Sequence, residues 1–364
     1  MEFACMQGPV TGQLALGKGP GCALAAPEAL FTGPAVTVPA RCRVPRSFEG
    51  GRWPPRPRVS SGFYKAHGLG NDYLVFEGGD DLARDAPSWT ATPENVERVC
   101  DPHRGVGADG VVVLDSGSPR VHAGRISVSL RMFNPDGGEF ERSGNGLRVL
   151  ASYLLKRHPG IEIIDAVIAG SRVRMRVHGS RAGTFDISVD MGTALTGAAA
   201  IDAAPELLAG AQPPFVMAGP QGEPLHVVPV SVGNPHLVVL AEPSGMTCSE
   251  AVLRPLGTFL SSHPSIRHGT NVQLARAVDG RAETCIWERG VGRTSASGTS
   301  SCAVAVALVL AGHLAPGTIL VEMPGGRMQV TVDESCGVQL RGPVVSVLSG
   351  TLEPGLLATF VHDS

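Results

Sequence analysis

Two apolar stretches, 154 positions apart, each follow a small hydroxyl residue and a glycine. The first follows Ser143-Gly144 and has the spacing of one apolar helical face, with Leu147, Val149, Leu150, Tyr153 and Leu154. The second follows Ser297-Gly298 and continues through the largely apolar run 301–311, which is too short to span a membrane. The pattern therefore predicts two helices that begin with the same kind of sequence.

Short runs of β-branched and aromatic residues, separated by Gly, Asn and Pro, predict strands on both sides of each helix. In the first half these runs are 63–66, 73–76, 111–114, 126–133, 161–164, 172–177 and 185–189. In the second half they are 227–232, 237–240, 272–275, 283–288, 319–322, 328–332 and 344–348. One long helix per half, surrounded by strands, indicates a weak internal duplication.

Shorter helices are predicted at 91–100, beginning at Thr92 or Pro93, and at 249–260. Residues 193–222 are rich in Ala, Gly and Pro and are interpreted as a linker with a short helix. The predicted organisation is an extension (1–60), an N-terminal domain (61–192, completed by 349–364) and a C-terminal domain (193–348).

The first sixty residues differ in composition from the rest of the chain. They hold nine prolines and eight glycines, with seven basic residues against three acidic ones. Segment 53–58 contains three prolines and cannot form a helix or a central strand. We interpret residues 1–60 as a largely disordered extension, and their low serine content argues against a transit peptide.

The overall composition, 43% hydrophobic and 17% charged, is ordinary for a soluble globular protein. A net charge of −3 gives no reason to expect nucleic acid as a partner, and no segment indicates a membrane partner. The eight cysteines are dispersed without a C-x-x-C pair, which argues against a zinc site and favours reduced thiols. We therefore expect a cytoplasmic protein.

The two predicted helix starts are candidate anion sites. The first amides of a helix have no internal partner, and glycine keeps side chains away, so a carboxylate or phosphate can bind there. Two such starts suggest two halves that face one anionic ligand.

Other common sites fit the sequence poorly. Segment 105–110 (GVGADG) matches the dinucleotide pattern G-x-G-x-x-G, but a predicted strand follows it where that fingerprint needs a helix. No lysine stands in a recognisable Schiff-base setting, and no H-E-x-x-H or carboxylate cluster is present. We therefore expect no cofactor and no metal.

Five segments in this order resemble the diaminopimelate epimerase family of cofactor-independent amino-acid racemases and epimerases. They are HGLGND (67–72), GVGADG (105–110), FNPDG (133–137) leading into SGNG (143–146), GNPH (233–236), and ERG (288–290) leading into SGT (297–299). The resemblance implies an α+β fold of two pseudo-symmetric domains, each a curled, mostly antiparallel sheet around a central helix. It places the active site between the domains.

The resemblance also implies an isomerase of lysine biosynthesis that needs neither pyridoxal phosphate nor metal, with a homodimer as a further expectation. The implied substrate is a small amino-acid-like molecule with a carboxylate. In the family, one cysteine thiolate removes the Cα proton and a second thiol returns a proton on the opposite face. Ser143 and Ser297 occupy the matching positions here.

Further roles carry over from the family by position. The side chains expected to bind the far end of the substrate and its α-carboxylate are Asn71, Asn134, Asn145, Asn234, Asn271 and Arg289. The amides expected to hold the carboxylate as it becomes enediolate-like are those of Gly144, Gly298 and Thr299. His236 and Glu288 are expected beside the two catalytic positions, where they would tune protonation.

Serine at both catalytic positions leaves three interpretations open. A thiol has a pKa near 8.5 that a helix start lowers, whereas a serine hydroxyl acts only when a neighbouring base takes its proton. In the first interpretation, the serines relay protons for His236 and Glu288 in an epimerase of reduced rate. In the second, His236 or Glu288 acts directly in a 1,3-proton shift, a dehydration or a ring closure. In the third, the protein binds a small amino acid without catalysis.

Simpler explanations also exist for these residues. The serines could be plain N-caps, or an engineered replacement of two cysteines, and the asparagines stand at turns where asparagine is common. Glu288-Arg289 could be a surface ion pair and His236 a turn residue. Arg293 and Ser300-Ser301 differ from the residues usual in the family, which indicates a bulkier, more basic rim and a different substrate.

Overall fold

The computed structural model describes residues 56–79, 87–115, 119–140 and 142–361, so most of the predicted extension lies outside the described residues. Strand β1 (Arg58–Gly68) begins inside that extension. Val59 is fully buried and pairs with Gly78 and with Trp89. The predicted boundary at residue 60 is therefore too late, because the folded part has already begun.

The first half continues with alternating strands and helices. Its elements are β2 (Asn71–Gly78), β3 (Ser88–Thr90), α1 (Pro93–Cys100), β4 (Val111–Leu114), β5 (Arg120–His122), β6 (Arg125–Phe133), β7 (Glu139–Phe140), α2 (Gly144–Arg157), β8 (Ile163–Ile168), β9 (Ser171–Arg181) and β10 (Thr184–Thr193). Thr92 caps α1 by accepting a hydrogen bond from the Asn95 amide, as the sequence predicts.

The second half begins with β11 (Leu195–Thr196), two short 3₁₀ helices (Ala198–Ile201 and Pro205–Leu207) and β12 (Phe215–Ala218). It continues with β13 (Pro224–Ser231), β14 (Pro235–Leu240), α3 (Glu250–Ser261), β15 (Asn271–Val278), β16 (Arg281–Glu288), β17 (Gly292–Thr294), α4 (Gly298–Leu310), β18 (Gly317–Met323), β19 (Gly326–Val332), β20 (Gly337–Thr351) and α5 (Pro354–Leu357). The linker predicted at 193–222 is thus more ordered than expected, although its only helices are 3₁₀ turns.

The two halves repeat one order of strand pairing. In the first half, β1–β2 is antiparallel, β2–β4 parallel, β4–β6 antiparallel, β6–β8 parallel, and β8–β9 and β9–β10 antiparallel. The second half has the same order for β13–β14, β14–β15, β15–β16, β16–β18, β18–β19 and β19–β20. Helices α1 and α3 occupy equivalent places, as do α2 and α4. This repetition confirms the predicted duplication and the α+β fold.

Strand β20 belongs to both halves. Over residues 338–341 it pairs with β19 of the second half on one edge and with β10 of the first half on the other, and further along it pairs with β1. Through β20, the strands of the first half close into a ring. The predicted strand 344–348 is only part of this element. Because β20 pairs with strands of the first half before residue 349, the predicted boundary at that residue is too late.

Helices α2 and α4 fill the centres of the two halves. Helix α2 packs against β1, β2, β9, β10 and β20, and α4 packs against β13 to β16 and β18 to β20. Residues 144–152 of α2 are all buried, so even Arg148 has no exposed surface. The exposed charges Lys156 and Arg157 lie in the last turn, where positive charge is favourable. Within the described residues, no helix is long and apolar enough to cross a membrane.

Candidate active site

The two long helices begin close together, with Leu340 of β20 between them. A methyl group on Gly144 would lie 2.7 Å from Leu340 Cδ2, and one on Gly298 would lie 2.9 Å from the same atom. The same position on Gly298 is 3.6 Å from Oδ1 of Asn145, in the first turn of α2. A side chain at either glycine would displace Leu340, and the two glycines leave both sets of helix-start amides close to one place.

Both candidate catalytic serines are N-caps. Ser143 Oγ accepts a hydrogen bond from the Gly146 amide at 3.0 Å, and Ser297 Oγ accepts one from the Ser300 amide at 3.5 Å. In this arrangement each hydroxyl still carries its own proton, which can be donated elsewhere. The capping role and a role in proton transfer are therefore compatible.

The hydroxyl of Ser297 lies beside the carboxyl group of Glu288, the last residue of β16. Burial raises the pKa of Glu288 above its ordinary value; the neighbouring hydroxyl of Ser297 opposes this rise, and the charge of Asp109 adds to it. Glu288 is therefore a better proton acceptor than an ordinary carboxylate. The predicted neighbour of Ser297 is in place.

The hydroxyl of Ser143 lies beside the phenol of Tyr73, in strand β2. Burial raises the pKa of Tyr73 far above its ordinary value, and the nearby charges of Glu288 and Asp109 act in the same direction. The ring of Tyr73 also packs against the first turn of α2, where a methyl group on Gly146 would lie 3.1 Å from Cε1. Sequence reasoning missed Tyr73, although it directly follows the HGLGND segment.

Asn71 and Asn145 are brought together by the fold. Asn145 Nδ2 donates to Asn71 Oδ1 at 2.9 Å, and Asn71 Nδ2 donates to Asp109 Oδ2 at 3.1 Å. The guanidinium of Arg148, one turn further along α2, donates to Asn145 Oδ1. These hydrogen bonds hold both side-chain amides in fixed orientations, so the donors and acceptors that they leave free are also fixed in direction.

His236 forms a hydrogen-bonded group at the start of α4. Its Nε2 lies 2.9 Å from Asn234 Oδ1, and its Nδ1 lies 3.1 Å from Gln273 Nε2. Asn234 Nδ2 in turn donates to Thr299 Oγ1 at 3.3 Å. Burial lowers the pKa of His236 to about 3, so the ring is neutral at ordinary pH, donating to Asn234 and accepting from Gln273.

The contacts of His236 therefore connect it to Asn234 and Thr299, two predicted substrate-binding residues. Both of its ring nitrogens are already used in these bonds. A role for His236 in tuning a catalytic serine stays a prediction, and the geometry gives it a role in orienting the Asn234 side chain.

Three further predicted residues stand at the ends of strands. Asn271 Oδ1 accepts from the Arg289 amide at 2.9 Å, and Asn271 Nδ2 donates to Pro235 O at 3.1 Å. The Arg289 guanidinium donates to His268 O. Asn134 has an exposed side chain, and its backbone closes the turn to Gly138. Asn271 and Arg289 thus lie together, whereas the backbone of Asn134 bonds within its own turn.

Neither alternative site gains support from the geometry. Segment 105–110 lies between α1 and β4, so it lacks the strand–loop–helix arrangement of a dinucleotide site. Within the described residues, no group of three His, Cys, Asp or Glu side chains is placed to hold a metal ion.

Comparisons with known proteins agree with this fold. The sequence profile of the family described as diaminopimelate epimerase matches residues 63–196 and 228–347. The diaminopimelate epimerase of Synechococcus elongatus is 34% identical over 298 residues, which cover 81% of this chain and 99% of that protein. The enzyme of Desulforudis audaxviator is 35% identical over 304 residues, covering 79% of this chain and 98% of that protein.

Solved structures of low sequence identity share the fold. A hydroxyproline epimerase from Agrobacterium vitis superposes with a TM-score of 0.51 at 17% identity, covering 83% of this chain and 91% of that chain. A structure from Pseudomonas aeruginosa described as a predicted epimerase gives a TM-score of 0.50 at 21% identity, covering 82% of this chain and 99% of that chain. On the sequence matches, the chain belongs to the diaminopimelate epimerase family.

Proposed function

We propose that this protein is an epimerase-type isomerase that moves a proton at the Cα of a small amino-acid substrate without a cofactor. The observation that carries the proposal is the approach of two serine-capped helix starts to one place at Leu340. Membership of the family supports the reaction class, and its relatives make diaminopimelate the first substrate to test.

The helix starts would hold the substrate carboxylate. The free amides of Gly144, Gly298 and Thr299 favour negative charge because of their dipoles and their missing partners. Their preference increases as the carboxylate becomes enediolate-like, which stabilises the transition state more than the ground state. Asn145 and Asn234, each held by neighbouring side chains, would fix the position of the substrate.

Glu288 and Ser297 would form the stronger proton-transfer pair. Glu288 would accept the hydroxyl proton of Ser297 as Ser297 Oγ takes the proton from Cα. The raised pKa of Glu288 favours this step, because a more basic carboxylate is a better general base while it is ionised.

Ser143 and Tyr73 would act on the opposite face of Cα, and less effectively. Ser143 would give its proton to Cα and recover one from the phenol of Tyr73. The raised pKa of Tyr73 makes the phenol a weak acid and leaves almost no phenolate to act as a base at neutral pH. The two faces therefore differ in rate, and the overall reaction is slower than one performed by two thiols.

A second candidate is a diverged isomerase in which Glu288 acts directly on a substrate with a more acidic proton, as in a 1,3-proton shift. The specific observation in its favour is that Glu288 has a raised pKa, while both ring nitrogens of His236 are already bonded. In this candidate the serines only cap helices. A dehydration or ring closure would use the same single carboxylate.

Proton exchange in D₂O tests these candidates. The protein is incubated with LL- and meso-diaminopimelate and related amino acids, and deuterium at Cα is followed by NMR. Loss of epimerisation in both Ser143→Ala and Ser297→Ala, with each change also removing exchange of the isomer whose Cα proton faces the altered serine, supports the serine relay. Exchange that survives both changes and is lost in Glu288→Gln supports direct action by Glu288. Binding without exchange on any substrate would make the protein an amino-acid-binding homologue and overturn the proposal.

The same proposal assigns the protein to lysine biosynthesis in the cytoplasm, with a homodimer as its assembly. These assignments rest on the family relationship alone. Sedimentation of the purified full chain tests the dimer, and a lysine-requiring strain that lacks its own epimerase tests the pathway by growth.

A further inference from the structure

A cavity of about 480 Å³ opens where strands β19 and β20 separate. Their pairing ends at Gln329 and Arg341, after which the same edge of β20 goes on to pair with β1 of the first half from Val345. The cavity lies in this fork and is also lined by the turn between β9 and β10. None of the residues proposed to hold the substrate lines it, so it is separate from the helix starts.

The lining combines cations with an apolar surface. Its charged residues are Arg181, Arg327, Arg341 and Asp186, so the positive charges outnumber the negative one by two. Its apolar side chains are Phe185, Leu320, Met328 and Pro343, and its hydroxyl and amide groups belong to Ser180, Thr184 and Gln329. A ligand that matches this lining has one anionic group and an apolar chain.

The arginines differ in how fully they are already paired. Arg341 Nη2 lies 2.6 Å from Asp186 Oδ2, and Arg327 Nε lies 2.7 Å from Glu322 Oε1. Arg181 has no ion pair with any residue in the described part of the chain. Arg181 is therefore the cation most able to accept a new carboxylate partner, and Arg327 keeps unused donors on its terminal nitrogens.

The wall of the cavity contacts the buried Arg148. Arg148 Nη1 donates to Pro343 O at 3.2 Å, and Nη2 lies 3.8 Å from Met328 Sδ. A methyl group on Gly342 would lie 2.5 Å from Arg148 Nη1. The same guanidinium donates to Asn145 Oδ1 and to Gly144 O at the start of α2. One side chain thus separates the cavity wall from the proposed substrate cradle.

We propose that this cavity is a second binding site, for a small monocarboxylate with an apolar chain, and that Arg148 connects it to the start of α2. The carboxylate contacts Arg181 and Arg327, and the chain lies on Phe185, Leu320 and Met328. The volume is within the range of natural small-molecule sites. Because the arginines are largely exposed, the affinity is modest and falls with added salt.

Binding is tested directly on the full chain with 3-methylbutanoate as the probe and 3-methylbutanamide as its uncharged counterpart. Isothermal calorimetry measures both affinities at low salt, and the acid is expected to bind at least about tenfold more tightly than the amide. Arg181→Glu is expected to abolish the preference, and Arg181→Gln to reduce it. Arg172→Gln, which removes an exposed arginine from the same strand outside the cavity, is expected to change nothing.

Methyl NMR distinguishes this cavity from the substrate cradle, which also favours carboxylates. Shifts at Leu320 and Met328, together with the Nε–H signal of the buried Arg148, are the expected result. Shifts confined to Leu340, between the helix starts, would place the probe in the cradle and overturn the proposal. Equal binding of acid and amide, or unchanged binding by Arg181→Glu, would overturn it as well. None of these readouts depends on catalysis, so the outcome is independent of the proposed reaction.

Discussion

The phenol of Tyr73 lies beside the hydroxyl of Ser143 at the start of helix α2. Its counterpart at the start of α4 is a different chemical group, the carboxyl of Glu288 beside Ser297. The fold is duplicated, but its two proton-transfer pairs are not equivalent. One pair contains a carboxylate of raised pKa, and the other contains a phenol that stays protonated at neutral pH.

This asymmetry predicts a difference between the two stereoisomers of a substrate. The isomer whose Cα proton faces Ser297 should exchange that proton with D₂O faster than it epimerises. Ser297 and Glu288 remove the Cα proton readily, whereas Ser143 delivers a proton slowly to the opposite face. The isomer whose proton faces Ser143 should exchange no faster than it epimerises. NMR of Cα deuterium and chiral chromatography of the same samples measure both rates. If the ratio of the exchange rate to the epimerisation rate were the same for both isomers, the asymmetric arrangement would be contradicted.

Tyr73→Phe should slow proton delivery on the Ser143 face by about tenfold or more, since the relay loses its acid. The matched control is Tyr64→Phe, which also removes a buried phenol bonded to α2, at Ser152. Each variant should lose about 1 kcal/mol of unfolding free energy. Epimerisation rates and urea denaturation are measured for both, and equal rate losses in the two variants would assign Tyr73 a purely structural role.

Introducing thiols at positions 143 and 297 should increase the rate of epimerisation. The double change Ser143→Cys with Ser297→Cys places two groups of ordinary pKa near 8.5 at helix starts, which lower that pKa further. Epimerisation should rise by about 100-fold or more, the range in which a well-matched acid–base pair contributes. Ser152→Cys adds a buried thiol within α2 away from its start and serves as the control. No gain in the double variant would argue that the cradle serves another reaction.

The activity should depend on the ionisation of Glu288. Its pKa is raised by burial, and the carboxylate form is the base, so the rate should fall on acidification at a higher pH than for an ordinary glutamate. Glu288→Gln should abolish the activity at every pH, while Glu242→Gln, at an exposed position, should leave the profile unchanged. The rate of Cα exchange is measured as a function of pH. A fall in rate centred at the pKa of an ordinary glutamate would contradict a role for Glu288 as a buried base.

His236 should destabilise the protein in acid. Its folded pKa of about 3 lies below the ordinary histidine value, so the unfolded state binds a proton first as the pH falls. The stabilisation is complete above about pH 6.5 and decreases below it at up to about 1.4 kcal/mol per pH unit. His236→Gln should flatten this dependence, whereas His122→Gln, at an exposed site, should not. Urea denaturation between pH 4 and 8 provides the comparison.

Much of this arrangement follows from local sequence patterns. The hydroxyl-glycine pairs at Ser143 and Ser297 predicted helix starts, and both serines are the N-caps of buried helices. The hydrophobic runs placed the central strands, because a buried strand needs apolar residues over its whole length. Short edge strands such as β5 (Arg120–His122) were missed, since their residues are exposed and carry no such pattern.

Contacts between distant segments could not be predicted in this way. An arginine in a helix is normally exposed, and Arg148 is buried only because strands surround α2. The approach of Tyr73 to Ser143 depends on the packing of β2 against α2, which no local pattern encodes. Likewise, β20 has the sequence of an ordinary strand, and its pairing with both halves is a property of the whole topology.

The double pairing of β20 has a consequence for the order in which the protein forms during synthesis. Strands β1 and β10 meet their shared partner only when residues 337–351 have been synthesised, after all the other strands of both halves. Until then the N-terminal half has two unpaired strand edges, which are sites for non-native pairing and aggregation. The ring around α2 therefore closes only after the strands of the second half have been made, although most of its own strands were made first.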